Sequence, residues 1–128
     1  MPSKQNGLID RWNCEREVRE SIEYAHLCTQ FNQEDVDEMV ELITDVLCTT
    51  RPTIRIGGED IPTEQARDRF QRLDCGHMEY VFDCLRRNTT QIRNIRAYLL
   101  TTLYNAPVTI SNYYQASVQH DFSHPLLE

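Results

Sequence analysis

The clearest helical pattern in the chain lies in residues 32–49, which read NQEDVDEMVELITDVLCT. Asn32 is suited to cap a helix, and Glu34 and Asp35 follow in the first turn, where the helix dipole favours negative charge. The apolar side chains recur at steps of three and four and therefore share one face: Val36, Met39, Val40, Ile43, Val46 and Leu47. The pattern predicts a helix over residues 33–49 that packs this face on a core and leaves an acidic face outside.

The same periodicity continues on both sides of this helix and predicts five more helices. One spans residues 10–29. Three others begin at caps formed by Thr63, Asp74 and Asn94. Pro107 is expected to end the third of these, and a last helix spans residues 109–119. The residues expected to face inward are Cys14, Val18, Ser21, Ile22, Ala25, Cys28, Ala66, Phe70, Leu73, Met78, Val81, Phe82, Leu85, Ile95, Leu99, Thr102, Leu103, Ala106, Ile110, Tyr113, Tyr114 and Val118.

One segment, residues 53–61, reads as a β-hairpin with the sequence TIRIGGEDI. Its Gly-Gly pair separates two short alternating runs, a pattern typical of a two-residue turn. Closing the turn on this pair puts Ile54 opposite Ile61 and Arg55 opposite Asp60, which makes one apolar pair and one ion pair. A hairpin this short is not stable alone, so we expect its isoleucines to lie on helices.

These elements predict a mostly α-helical fold, a compact bundle of five to six helices with one small β-hairpin at about residues 53–61. The chain of 128 residues is long enough for one core, and we assign a single helical domain to residues 10–122. Residues 1–9 read as a linker or an expression-derived segment, and residues 123–128 as a flexible tail whose Leu127-Glu128 end is a candidate expression remnant. No run of about 18 apolar residues and no signal peptide is present, so we expect a cytoplasmic protein with no membrane contact.

Charge is distributed unevenly along the chain. The total of 13 basic and 20 acidic residues gives a net charge of −7, which argues against a domain that binds nucleic acid over its whole surface. Residues 1–83 carry 18 acidic and nine basic residues, whereas residues 84–120 carry four arginines and no acidic residue. The C-terminal part therefore either offers a small basic surface or is poor in carboxylates because it is buried.

The five cysteines show no C-x-x-C pair and are expected to be reduced thiols. His26 with Cys28 and Cys75 with His77 make a formal two-cysteine, two-histidine set. Because residues two apart on a helix point about 200° apart, we expect no bound metal and no cofactor. The Cys75-Gly76-His77 run lacks a group to orient a catalytic base, and no phosphate-binding loop is present. We therefore expect no catalytic residues.

The C-terminal third combines arginines with aromatic residues, and residues 88–107 read NTTQIRNIRAYLLTTLYNAP. Arginines and exposed aromatic rings suit single-stranded nucleic acid, through phosphate contact and base stacking. The candidate partner or nucleic-acid surface comprises Arg86, Arg87, Arg93, Asn94, Arg96, Tyr113 and Tyr114. The alternative is that Tyr98 and Tyr104 belong to the core and that the arginines form a solvated rim.

Residues 88–107 and three earlier stretches resemble one protein family. The earlier stretches read RFQRLDCGHMEYVFDCLRRN, TIRIGGED and IEYAHL. The family is the C-terminal domain, of unknown function, of RepA-type replication initiators from plasmids and conjugative elements of Gram-positive bacteria. The resemblance covers residues 22–121 and is most specific in residues 88–107. The residues that match the family block are Arg93, Asn94, Ile95, Arg96, Tyr98, Leu99, Tyr104 and Asn105.

The resemblance implies a non-catalytic domain similar to the C-terminal domain of the primosomal protein DnaD, and it implies contact with host replication proteins. We therefore expect recruitment of host replication proteins through protein–protein contacts. The expected docking face is either the acidic side of the first two helices or the region of residues 86–96. Two alternatives stay open: a module that binds single-stranded DNA weakly, and a self-assembly domain that forms a homo-oligomer.

Overall fold

The computed structural model describes the backbone of residues 3–88 and 94–123 and the side chains of residues 10–88 and 94–110. Within these residues the chain forms six α-helices and one two-stranded antiparallel sheet, so the predicted fold class is confirmed. The elements are α1 (Ser3–Ser21), α2 (Tyr24–Gln30), α3 (Gln33–Cys48), β1 (Thr53–Ile56), β2 (Glu59–Pro62), α4 (Thr63–Gln71), α5 (Cys75–Arg87) and α6 (Ile95–Ser123). None of the described helices has the length and the apolar character that a membrane crossing needs.

Helix α3 organises the core, because it contacts α1, α2 and α4, while α5 packs against α6. The Asn32 side chain caps α3 by accepting a hydrogen bond from the Glu34 backbone N–H at 2.8 Å, as the sequence predicts. The predicted apolar face is buried at Val36, Met39, Val40, Ile43 and Val46. Because each fully buried side chain of this kind stabilises the fold by roughly 1.5–3 kcal/mol, this face is a major source of stability.

The helix predicted over residues 10–29 is two helices, because the chain breaks between α1 and α2. Glu23 adopts a left-handed backbone conformation with φ of 57° at the break. In a continuous helix Leu27 would lie half a turn around from Val18, since nine residues advance the helix by about 900°. In the structure Val18 and Leu27 are both buried and Ala25 is exposed. The break therefore turns Leu27 into the core in place of Ala25.

Helix α6 continues through Pro107, so the predicted helix end there and the separate helix over residues 109–119 are wrong. A proline inside a helix removes one backbone hydrogen bond and costs about 3 kcal/mol. The turns before it offset that cost, because Leu99, Leu103 and Ala106 are buried in the core. The predictions for Tyr113, Tyr114 and Val118 as inward-facing residues lie outside the part of the chain whose side chains the structure describes.

The hairpin forms in the predicted register, with Ile54 opposite Ile61 and Arg55 opposite Asp60. The two glycines at its turn have φ values of 62° and 81°, as a two-residue turn of this type requires. Thr63 does not cap α4 as predicted but is its first residue, with no side-chain cap at the N-terminus. Its hydroxyl instead donates a hydrogen bond to the Arg51 carbonyl, which ties the start of α4 to the loop before β1.

Candidate functional site

The structure places four of the seven predicted surface residues and divides them between two regions. Arg86 and Arg87 end helix α5, and both are exposed. Asn94 caps α6 by accepting a hydrogen bond from the Ala97 backbone N–H at 3.0 Å, and Arg96 follows in the first turn of α6. Arg93 lies outside the described residues, and the side chains of Tyr113 and Tyr114 lie outside the part of the chain whose side chains the structure describes.

A groove runs between α3, α5 and the start of α6, and we call it the Phe31 groove. It has a volume of about 420 Å³. Its apolar surface is formed by Phe31, Met39, Phe82, Leu85, Ile95 and Leu99, and its rim by Gln30, Asn32, Asp35, Glu38 and Arg86. Phe31 follows α2 directly and therefore has no helical pattern that could single it out in the sequence.

Two stacked contacts build one wall of the Phe31 groove. The Phe31 and Phe82 rings lie parallel, with 4.3 Å between their centroids and 19° between their planes. The Arg86 guanidinium also lies over the Phe31 ring, with 5.0 Å between Cζ and the ring centroid. Phe31 and Arg86 also line a neighbouring cavity of about 730 Å³. They therefore form the ridge between the two hollows.

Ile95 is exposed at the edge of the Phe31 groove, which corrects the prediction that it faces inward. Its exposed fraction is 51%, whereas Leu99, one turn later, is buried. Ile95 is exposed because it is the first residue of α6 and lies beyond the layer of core side chains that Leu99 joins. The groove thus presents a large apolar side chain to solvent beside an aromatic pair.

Charge on the rim of the Phe31 groove is predominantly negative. Asp35 and Glu38 are exposed on α3, whose outer face is acidic as predicted, and Arg86 is the cation on the α5 side. Arg86 is engaged with the Phe31 ring. A ligand of this groove would therefore gain from apolar side chains together with positive charge directed towards α3.

Arg96 lies in a second hollow, which we call the arginine cleft. The cleft has a volume of about 440 Å³, and its charged residues are Arg11, Asp45, Arg51, Arg55 and Arg96. The Asp45 carboxylate accepts from Arg11 at 2.8 Å and from Arg96 at 3.3 Å. The hydrogen bond to Asp45 raises the pKa of Arg11. Asp45 thus joins α1 to α6 through two arginines.

The arginines of the predicted surface whose side chains the structure describes therefore do not share one hollow. Arg87 pairs with Asp83 at 3.1 Å within its own helix, and Arg96 pairs with Asp45 away from the Phe31 groove. Sequence reasoning missed Arg11, Arg51 and Arg55, which stand beside Arg96 in the cleft. Arg11, the segment of residues 51–55 and Arg96 come from three separate parts of the chain, so no spacing in the sequence could indicate that they converge.

The thiol of Cys75, the candidate nucleophile, has a pKa above its usual value. Partial burial raises its pKa first, and the nearby carboxylates of Glu79, Glu23 and Asp74 raise it further. A catalytic thiol requires the opposite shift. His77 does not face Cys75 as a base, because it completes a capping box with Asp74 at the start of α5.

Comparison with known proteins identifies the family but not an activity. A search of curated proteins and a search of solved structures each returned no match. A family model of unknown function matches residues 9–124, which covers nearly the whole chain and includes both hollows. The chain therefore belongs to the DUF6017 family.

Proposed function

We propose that this chain is the non-catalytic recruitment domain of a plasmid or conjugative-element replication initiator and that it binds a host replication protein in the cytoplasm. The proposed contact is the Phe31 groove. The proposed partner segment places an apolar side chain against Ile95 and Phe31 and a basic side chain near Asp35 and Glu38. The initiator assignment rests on the sequence resemblance over residues 22–121, and the groove supplies the contact surface.

The observation that carries this proposal is the exposure of Ile95 beside the stacked Phe31–Phe82 pair. Covering apolar surface contributes about 25 cal/mol for each Å² removed from water. An apolar centre with aromatic side chains and a charged rim is the usual anatomy of a protein–protein interface. Nucleic acid would be repelled by the two carboxylates on the rim, so the groove favours a protein partner.

The test is affinity capture from host lysate with matched variants of Ile95 and Val108. Both side chains are exposed apolar residues of α6, at 51% and 41% exposure, but only Ile95 lines the Phe31 groove. We expect replication proteins to be enriched with the parent chain and with Val108→Lys, and to be lost with Ile95→Lys. Equal capture by both lysine variants would contradict the proposed contact.

The arginine cleft favours a second function, weak binding of single-stranded DNA. Four arginines line it, and phosphate groups bind arginine readily. The positive charge of the cleft is partly neutralised by carboxylates. Arg11 and Arg96 both pair with Asp45, and Arg55 pairs with Asp60 at 3.2 Å. Among the described side chains, Arg51 is the member of this group without a carboxylate partner. This arrangement supports modest affinity and ranks the DNA function second.

A further inference from the structure

Three metal-ligating side chains converge where α2 meets α5. They are His26, Cys75 and Glu79, and one ligand atom from each lies within 4.8 Å of the other two. Cys75 is the first residue of α5, and Glu79 follows four residues later on the same face of the helix. His26 reaches them from α2. The set combines a thiolate-forming side chain, an imidazole and a carboxylate, which are the three donor types that zinc accepts.

We propose that His26, Cys75 and Glu79 bind a single Zn²⁺ ion and leave its fourth position to water. This inference is independent of the recruitment function, since none of the three ligands lines the Phe31 groove. Three protein ligands with one open position is a recurring zinc arrangement. The mixture of imidazole, sulfur and carboxylate favours Zn²⁺ over Mg²⁺ or Ca²⁺, which take oxygen ligands.

The distances are close to those that a tetrahedral site needs. The Nε2 atom of His26 lies 3.9 Å from the Oε2 atom of Glu79, and the Sγ atom of Cys75 lies 4.0 Å from the same oxygen. Around a tetrahedral zinc ion, neighbouring ligand atoms are about 3.3–3.6 Å apart. The third separation, between the Nε2 atom of His26 and the Sγ atom of Cys75, is within 4.8 Å. Side-chain rotations that move these atoms by up to about 1 Å would therefore close the site.

The negative charge around the three side chains favours a bound cation. Glu23 and Asp74 stand near Cys75, in addition to the ligand Glu79. The same negative charge attracts a divalent ion. Binding would release the Cys75 thiol proton to solvent, and the thiolate and the Glu79 carboxylate would then balance the two charges of the ion.

The His26 ring already has its Nε2 atom engaged in a single hydrogen bond. The Gln30 amide nitrogen lies 2.9 Å from it. In the neutral tautomer with its proton on Nδ1, the Nε2 atom accepts from this amide and carries the lone pair that a metal requires. The ion would displace one exposed hydrogen bond, which contributes little to stability in water.

The sequence alone offers a different set of ligands, which helix geometry rejects, and so it predicts no bound metal. The rejected set paired Cys75 with His77 and His26 with Cys28, and in the structure the His77 ring is occupied by the Asp74 capping box. Glu79 replaces His77 because residues four apart on a helix share a face and residues two apart do not. His26 reaches α5 because the break at Glu23 changes the direction of the chain between α1 and α2. No local pattern in the sequence indicates this change of direction.

The test is titration of the reduced, metal-free chain with Co²⁺ followed by Zn²⁺. Cobalt bound to a thiolate gives a charge-transfer band in the near ultraviolet, and we expect this band to saturate at one equivalent and to disappear when Zn²⁺ displaces the cobalt. The band should be absent in Cys75→Ser and unchanged in Cys84→Ser. Cys84 is the matched control, because it is a half-buried thiol of the same helix, nine residues later and half a turn around.

The other two ligands are tested by affinity for Zn²⁺, with circular dichroism to confirm that each variant is folded. His26→Gln and Glu79→Gln should each weaken Zn²⁺ binding at least tenfold, because changing even a partner of a ligand costs about 10–100-fold. Both side chains are largely exposed, so neither variant threatens folding. A parent chain without the cobalt band, a band that survives in Cys75→Ser, or a Zn²⁺ dissociation constant above about 1 mM would overturn the proposal.

Discussion

The guanidinium of Arg86 lies over the Phe31 ring, with 5.0 Å between Cζ and the ring centroid, while Phe82 stacks on the same ring. This contact joins the end of α5 to the loop between α2 and α3. It also fixes the position of the only cation on the described rim of the Phe31 groove. Arg86, which the sequence predicts as part of a partner or nucleic-acid surface, thus forms part of the wall of the Phe31 groove.

Arg86 and Arg87 provide a matched pair for measuring this contact. Arg86→Ala should lower the free energy of unfolding by about 0.5–1 kcal/mol, the usual contribution of a cation–π contact near the surface. Arg87→Ala should change it by less than about 0.5 kcal/mol, because its pair with Asp83 is exposed and lies within one helix. Urea unfolding of both variants measures the difference. Equal losses would show that the Phe31 contact contributes nothing specific.

The hairpin turn depends on the left-handed backbone of Gly57, whose φ is 62°. Gly57→Val should cost about 1–3 kcal/mol, because a β-branched residue is strained there. The added Cβ would meet Thr101 at an ordinary 3.8 Å, so the cost comes from the backbone and not from a clash. Gly57→Asn is the control and should lose much less, since asparagine tolerates this conformation. Equal melting temperatures for the two variants would contradict this explanation.

Stability should fall at high pH because of Cys14. Partial burial, followed by the neighbouring Cys48, raises the pKa of the Cys14 thiol from its usual 9.0 to about 11. The unfolded chain therefore loses this proton first as the pH rises, and the contribution of the protonated thiol is present below pH 9 and lost by about pH 11. Urea unfolding across this range should show a smaller fall for Cys14→Ala than for the parent. Identical profiles would rule out a contribution from Cys14.

Single-stranded DNA should bind weakly and with shallow salt dependence. Each phosphate that an arginine neutralises contributes about −0.7 to the slope of log affinity against log salt concentration, so four arginines limit this slope to about −3. The net charge of −7 opposes association. Fluorescence anisotropy with a labelled oligonucleotide of about 20 nucleotides, at about 50 and 150 mM salt, should give only high-micromolar affinity at the higher salt. Submicromolar binding would contradict this prediction. If the triple variant Arg51→Ala/Arg55→Ala/Arg96→Ala then abolished binding and the double variant Arg86→Ala/Arg87→Ala preserved it, the arginine cleft would be the principal site.

The fold was predictable where neighbouring residues in the sequence determine the structure. Helix α3 follows from one apolar face and one cap, and the hairpin register follows from two glycines and an alternating pattern. The break at Glu23 and the passage of α6 through Pro107 were not predictable, because the burial of Leu27 and of Leu103 decides them. That burial depends on helices that are distant in the sequence.

The candidate site was predictable only as a list of residue types. Arg86 and Arg96 were expected on one surface, yet the first turn of α6 places Ile95 towards the Phe31 groove and Arg96 towards the arginine cleft. Phe31 lies between two helices and belongs to no periodic face, so nothing in the sequence indicated its role. The convergence of side chains from separate helices requires the tertiary structure.

The most direct test of the recruitment function is photocrosslinking from position 95 in living host cells. A photoreactive amino acid replaces Ile95 in one strain and Val108 in another, since both positions are exposed on α6 and only the first lines the Phe31 groove. We predict a covalent adduct with a host replication protein from position 95 and none from position 108. A position 95 that crosslinks only to a second copy of this chain, or to no host replication protein, would contradict the proposed recruitment.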